Sequence, residues 1–163
     1  MTIWEVVIAI IPFPIKRIIS GGQTGVDRAA LDYAIDHHIP HGGWCPRGRL
    51  AEDGRIPDRY VLEETPTEEY PERTEKNVLT ADGTLILYRT RITGGTQLTQ
   101  QLCVLNKKPC FVINLEDAPK LTRRAFQVWL VESKVHVLNV AGPRESLSPG
   151  IYVKAKAYLK ALF

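Results

Sequence analysis

The stretch Ser20-Gly21-Gly22-Gln23-Thr24-Gly25 combines glycines and hydrogen-bonding side chains in a pattern that suits the binding of an anion. Glycines let backbone N–H groups approach an anion closely, and a helix that starts here adds about half a positive charge at its amino end. The side chains of Gln23 and Thr24 can donate hydrogen bonds to the same oxygens. The alternative is a tight strand-to-helix turn that binds nothing, because a single glycine-rich turn is a weak signal.

A second turn, Thr93-Gly94-Gly95-Thr96, has the same composition and also precedes a predicted helix. We expect its amides and the nearby Thr99 hydroxyl to face the same crevice as the first turn, because both turns follow strands of one predicted sheet. Two such turns favour an anion site more strongly than either turn alone. The predicted ligand- and phosphate-binding residues are Gly21, Gly22, Gln23, Thr24, Gly25, Asp27, Arg28, Thr93, Gly94, Gly95, Thr96 and Thr99.

Asp27 and Arg28 fall in the first turn of the helix that the first motif opens. One interpretation of Asp27 is a favourable charge at the positive end of the helix dipole. The alternative is that Asp27 hydrogen-bonds a ligand ring or orients an arginine.

A long polar segment between the two turns, residues 45–71, is predicted to form a lid or binding loop. Its arginines can form bidentate contacts to phosphate, and Trp44, just before it, or Tyr60 within it can stack on a planar ring. The predicted lid and ring-contacting residues are Trp44, Cys45, Arg47, Arg49 and Arg55. The alternative is a salt-bridged segment in which Glu52 and Asp53 neutralise the arginines.

Several functional classes are disfavoured by what the sequence lacks. There is no phosphate-binding loop of the G-x-x-x-x-G-K-[ST] type, and no acidic residue ends the second predicted strand, so a NAD-dependent dehydrogenase is not expected. A net charge of +3 is too balanced to predict nucleic-acid binding. The three cysteines include no C-x-x-C pair, so neither a disulfide framework nor a structural metal is expected, and reduced thiols favour the cytoplasm.

The pattern of apolar segments predicts an α/β fold. Short apolar runs alternate with helical periodicity, which is typical of a Rossmann-like three-layer α/β/α sandwich with a mainly parallel sheet. We expect about five strands, at residues 16–20, 39–44, 84–88, 110–114 and 135–140, in the order 3-2-1-4-5. Residues 16–163 form one domain in this interpretation. Residues 1–15 form an extension, either an edge strand or a disordered leader, whose apolar part is too short to span a bilayer.

The chain resembles the molybdenum-cofactor carrier family, in the Rossmann-like group of the lysine-decarboxylase-like and "lonely guy" proteins. The resemblance covers roughly residues 16–163. It rests on the motifs at residues 20–32, 42–49, 52–57 and 93–96.

The resemblance implies a carrier or storage protein that holds molybdopterin, a phosphate-bearing pterin, without changing its covalent structure. It also implies self-association into homo-oligomers and molybdoenzymes as recipients of the cofactor. The phosphate would then lie on the two glycine turns, and the pterin near Trp44 and the lid arginines.

The alternative function is a nucleotide-binding sensor or a nucleotide-processing hydrolase of the phosphoribohydrolase type. Those enzymes carry P-G-G-x-G-T-x-x-E, whereas this chain has Thr93-Gly94-Gly95-Thr96-Gln97-Leu98-Thr99-Gln100 and no carboxylate in that segment. A glycosidic cleavage there would lack its main acid–base catalyst, which weakens the enzymatic alternative.

Overall fold

A parallel five-stranded sheet flanked by helices forms the centre of the molecule. The computed structural model describes residues 14–163. The strands of this part of the chain are β1 (Arg17–Ile19), β2 (His41–Gly42), β3 (Trp44–Cys45), β4 (Leu50–Ala51), β5 (Gly54–Arg55), β6 (Glu63–Glu64), β7 (Gly83–Tyr88), β8 (Cys110–Asn114) and β9 (Val137–Ala141). The helices are α1 (Val26–Asp36), α2 (Tyr70–Thr80), α3 (Gly94–Leu105), α4 (Pro119–Glu132) and α5 (Ile151–Leu162).

The helices form two layers, one on each face of the sheet. Helices α1, α4 and α5 pack together over the main apolar core, and α2 packs with α3. Because side chains alternate along a strand, Leu138 and Val140 of β9 face the main core, whereas Asn139 faces the side of α2 and α3. The predicted Rossmann-like α/β/α fold class is confirmed.

The predicted strand order is wrong. Counted as the five predicted strands in chain order, the sheet runs 2-1-5-3-4, because β9 lies between β1 and β7. Moving the last strand to the front of the chain converts this order into 3-2-1-4-5, so the layout is the expected one with a different starting point along the chain. Strands β7 and β9 are both nearly continuous apolar runs, and such runs do not reveal which strand is central.

The long segment after β2 contains small elements of its own. Strands β3 and β6 pair in parallel, and β4 and β5 form a hairpin. Helix α2 begins at Tyr70, and Pro71 fits its first turn because proline needs no hydrogen-bond donor there.

Residues 1–13 of the predicted N-terminal extension lie outside the described residues, whereas Ile15 packs against the main core. None of the helices described here is long and apolar enough to cross a membrane.

Candidate functional site

A cavity of about 320 Å³ opens at the carboxyl ends of β1, β9 and β7. The helix after β9, α5, belongs to one layer, and the helix after β7, α3, belongs to the other, so the winding of the sheet reverses between these strands. Ligands of open α/β sheets bind at such a reversal. The lining residues are Gly21, Gln23, Asp27, Tyr70, Pro71, Arg73, Thr74, Asn77, Thr93, Gly94, Gly95, Thr96, Leu98, Thr99, Asn139, Val140, Ala141, Gly142, Pro143, Arg144 and Leu147.

An ion pair between Arg73 and Asp27 lies in the cavity wall. Nη1 of Arg73 donates to Oδ2 of Asp27 over 3.0 Å, and the backbone N–H of Gln23 donates to the same oxygen over 3.2 Å. Burial raises the pKa of Asp27 above its ordinary value, although the charge and hydrogen bond of Arg73 act against this rise. The contact with Arg73 fits the interpretation in which Asp27 orients an arginine.

Gly21 makes this ion pair possible. A Cβ atom at position 21 would lie 1.6 Å from Nη1 of Arg73 and 2.9 Å from Oδ2 of Asp27. The guanidinium therefore passes directly over the backbone of Gly21, in space that any side chain would occupy.

Two arginine nitrogens in the cavity wall lack a hydrogen-bond partner. Among the residues that the structure describes, Nε of Arg73 and Nε of Arg144 are the buried side-chain polar atoms without one. Nε of Arg144 lies 3.4 Å from Oε2 of Glu52, which is within ion-pair distance but does not form an aligned hydrogen bond. Buried donors are usually paired, so two arginines of the cavity lining retain hydrogen-bonding capacity that the described protein atoms leave unused.

The second glycine turn opens into the cavity. No side chain caps the amino end of α3, and a Cβ atom at Gly94 or Gly95 would meet nothing within 4 Å. The backbone at Gly94 has φ of 53°, a conformation that favours glycine. Thr96 and Thr99 are buried, and the Thr99 hydroxyl donates to the carbonyl of Gly95. The amino end of α3 is thus accessible to a ligand in the cavity.

The first glycine turn is largely occupied by the protein itself. The backbone N–H of Thr24 donates to Oε1 of Gln23 over 3.0 Å, as the N–H of Gln23 does to Asp27. A Cβ at Gly22 would lie 2.7 Å from Leu62, and one at Gly25 would lie 2.4 Å from the carbonyl of Pro143. Gly22, Thr24 and Gly25 therefore pack against neighbouring loops and do not line the cavity.

Arg28 also points away from the cavity. Its guanidinium makes a bidentate ion pair with Asp53, at 2.5 and 2.7 Å, and its Nε donates to the carbonyl of Gly22. The hydrogen bond from Arg28 lowers the pKa of Asp53. Asp53 therefore neutralises an arginine of α1, whereas the alternative pairs it with the arginines of its own segment.

Glu52 joins the long segment to two other loops. Its carboxylate accepts hydrogen bonds from the Thr24 hydroxyl and from the backbone N–H and hydroxyl of Ser146. Burial disfavours the charge, but the hydrogen bonds from Ser146 and Thr24 and the charge of Arg144 outweigh it, so the pKa of Glu52 is lowered. These hydrogen bonds hold the long segment against the first glycine turn.

Trp44 and Cys45 lie outside the cavity. The indole of Trp44 donates to the Thr80 hydroxyl, and the Lys76 ammonium lies 4.4 Å from the centroid of its ring. Cys45 is fully buried in a small apolar cluster, where burial raises the pKa of its thiol. Both residues serve packing in this structure, and neither faces the cavity that they were predicted to contact.

The lid arginines point elsewhere as well. Arg49 is buried and donates to the carbonyls of Ile56, Pro57 and Tyr60. Arg55 pairs with Asp58 at 2.7 Å. Arg47 is exposed, 3.9 Å from Glu68. These three arginines contact other residues of the long segment or lie on its surface, and none of them lines the cavity.

The sequence interpretation did not single out the helix face and loop that complete the site. Tyr70, Arg73 and Asn77 recur every three or four residues along one face of α2, and Arg144 follows the last strand. The sequence does contain a signal for this face of α2, which is Pro71. A helix that starts at this proline includes both Tyr70 and Arg73. Within residues 14–163, no cluster of three or more histidines, cysteines or acidic residues could hold a metal ion.

Comparison with known proteins identifies the family. The model of the "Circularly permutated YpsA SLOG family" matches residues 18–163. A solved structure from Syntrophus aciditrophicus SB, named "Putative molybdenum carrier protein", is 49% identical, with 92% of this chain and 96% of that chain covered and a TM-score of 0.90. Curated proteins provide no match.

These matches confirm the resemblance drawn from the glycine-rich motifs. The word "permutated" in the family description also agrees with the sheet, in which the last strand takes the central place. On the extent of the family match and the identity of the solved relative, the chain belongs to the circularly permutated YpsA SLOG family.

Proposed function

We propose that the protein is a carrier that holds the molybdenum cofactor as cargo, with the phosphate of the pterin bound in the cavity at the reversal of the sheet. The solved relative that bears the name of a molybdenum carrier covers nearly the whole chain at 49% identity, which supports this function. The cavity volume of about 320 Å³ falls within the ordinary range for small-molecule sites.

The main structural support for the proposal is a pair of arginine nitrogens that form no hydrogen bond, near the open amino end of α3. Arg73 and Arg144, whose Nε atoms form no hydrogen bond, line the same cavity as Gly94 and Gly95. Guanidinium groups and helix amino ends are both donors that phosphate prefers. We propose that the phosphate lies between the arginines and the amino end of α3, so that hydrogen-bond donors contact its charge on two sides.

Under this proposal, the residues predicted from the sequence fall into two groups: those that contact the cargo and those that support the surrounding loops. Those that line the cavity are proposed to contact the cargo: Gly21, Gln23, Asp27, Thr93, Gly94, Gly95, Thr96 and Thr99. Glycines 22 and 25, Thr24 and Arg28 support the loops around it. Binding and release require no acid–base step, and we propose that cytoplasmic molybdoenzymes receive the cargo.

The test is a ligand panel measured by thermal denaturation and by direct titration. Molybdopterin should stabilise the protein by RT ln(1 + [L]/Kd), about 2.7 kcal/mol at a hundredfold excess over Kd. Protein purified from a molybdate-fed host should also release a pterin that fluoresces after oxidation. Stabilisation by nucleoside monophosphates with none by molybdopterin would overturn the carrier function in favour of a nucleotide sensor, and release of a free base would establish hydrolysis.

A further inference from the structure

The cavity lining combines deeply buried polar residues with more exposed apolar ones, and we call the latter its mouth. Its buried lining includes Asp27, Asn77 and Asn139. By contrast, the lining residue Leu147 leaves 58% of its surface exposed, so its side chain is accessible to a ligand in the cavity. Half-buried Leu98 of α3 lines the same cavity.

The mouth also holds an aromatic ring next to a positive charge. Of the described residues that line the cavity, Tyr70 alone is aromatic, and it is half-buried. It precedes Arg73 by three residues on α2, and the centroid of its ring lies 5.6 Å from Cζ of Arg73. If the anionic group of a ligand contacts Arg73, the group bonded to that anion would therefore lie next to Tyr70.

Tyr70, Leu98 and Leu147 come from three different elements: α2, α3 and the loop before α5. Apolar side chains from three directions, one of them a flat ring, suit a planar group that is held by stacking and apolar contact. Trp44, the ring contact expected from the sequence, is engaged by Lys76 and Thr80 and is not in the lining.

We propose that Tyr70, Leu98 and Leu147 form a subsite for a planar heterocycle attached to the anionic group that Arg73 and the amino end of α3 hold. This inference rests on the proposed anion site and adds the part of the ligand that gives selectivity. The protein then distinguishes a ring-bearing phosphate from inorganic phosphate or from an aliphatic phosphate by the mouth of the cavity, and not by the charged interior.

The experiment compares three probes by calorimetric titration: inorganic phosphate, glycerol 3-phosphate and 6-hydroxymethylpterin monophosphate. The unmodified protein should bind the pterin phosphate about tenfold more tightly than glycerol 3-phosphate, in line with the strength of base–aromatic stacking. Tyr70→Ala and Leu147→Ala should each remove most of this preference and leave the affinity for inorganic phosphate unchanged. Tyr70→Phe should retain the preference, because it keeps the ring.

Leu121→Ala is the matched control, since Leu121 is 81% exposed on α4 and does not line the cavity. The subsite is overturned if the unmodified protein shows no preference for the pterin phosphate, or if Tyr70→Ala and Leu147→Ala keep the preference. In either case, the proposed anion site remains supported if the unmodified protein binds inorganic phosphate and Arg73→Gln does not. If no probe binds the unmodified protein, the anion site and the subsite fail together.

Discussion

Nη1 of Arg73 lies 3.0 Å from Oδ2 of Asp27, although 46 residues separate them in the sequence. The aspartate stands in the first turn of α1, and the arginine reaches it from α2 across the backbone of Gly21. One guanidinium nitrogen is thereby fixed, whereas Nε remains unpaired beside the cavity. The first glycine turn thus contributes to the site chiefly by positioning a distant arginine.

The buried carboxyl of Asp27 should give stability a measurable pH dependence. Its pKa is raised in the folded protein, so the folded state holds this proton more tightly than the unfolded state does. The contribution of Asp27 to the free energy of unfolding therefore falls as pH rises from about 3.9, the ordinary value, through the folded pKa. In urea denaturation, the unmodified protein should lose stability relative to Asp27→Asn across this window, and a difference that does not change with pH would contradict the assignment.

Glu52 should show the opposite sign. Its pKa is lowered in the folded protein, so its contribution is present at neutral pH and is lost as pH falls through the folded value. Glu52→Gln should therefore be less stable than the unmodified protein at pH 7, and the two should converge as pH falls below about 4.3, the ordinary value for glutamate. The same urea titrations measure this, and a constant gap down to low pH would show that the charge of Glu52 is not what fastens the loops.

Two glycine-to-alanine substitutions should separate the roles of the two turns. Gly25 has φ of 79°, and its Cβ would lie 2.4 Å from the carbonyl of Pro143, so Gly25→Ala should cost more than about 2 kcal/mol of stability. Gly95→Ala meets open space and should leave stability nearly unchanged. Thermal denaturation checks both. Phosphate titration should show about a tenfold loss in Gly95→Ala, because the added methyl group faces the cavity; equal phosphate affinity would place the anion elsewhere.

We expect Arg49 to stabilise the fold and not to bind the ligand. Its guanidinium donates to three backbone carbonyls, and Arg49→Met leaves those carbonyls without their donor. We expect a loss of about 2–4 kcal/mol in the free energy of unfolding, with phosphate affinity within about twofold of the unmodified protein, since twofold is only about 0.4 kcal/mol. An unchanged stability with a tenfold loss of affinity would instead assign Arg49 to the ligand.

The sequence predicted the fold class, and it predicted that both glycine turns bind a ligand. The second turn opens into the cavity, whereas Gly22, Thr24 and Gly25 of the first do not line it. Strands are recognisable from short apolar runs, and the helix after Thr93-Gly94-Gly95 from its glycine start. The central position of β9 was not predictable, because the apolar runs of β7 and β9 are equivalent candidates for the centre of a sheet. Only pairing across the sheet shows that the last strand lies beside the first.

The candidate site was predicted less completely, for a physical reason. A guanidinium is long enough to reach either solvent or a partner far away in sequence, so residue type alone did not distinguish Arg73 in the cavity from Arg49 in a loop. The acidic residues that neutralise Arg28 and Arg55 were present in the sequence. The alternative interpretation pairs Glu52 and Asp53 with the arginines of the long segment, whereas Asp53 pairs with Arg28 and Asp58 pairs with Arg55, so geometry was needed to assign the partners.

The proposed function places the phosphate of a molybdopterin cargo in the cavity at Arg73 and the amino end of α3. The most direct measurement is an anaerobic titration of molybdopterin into the unmodified protein, Arg73→Gln and Arg47→Gln, the last being an exposed arginine outside the cavity. We expect saturable binding to the unmodified protein and to Arg47→Gln, and at least about a tenfold weaker affinity in Arg73→Gln, because a charge-assisted contact is lost. Equal affinity in all three proteins, or no binding to the unmodified one, would contradict the account.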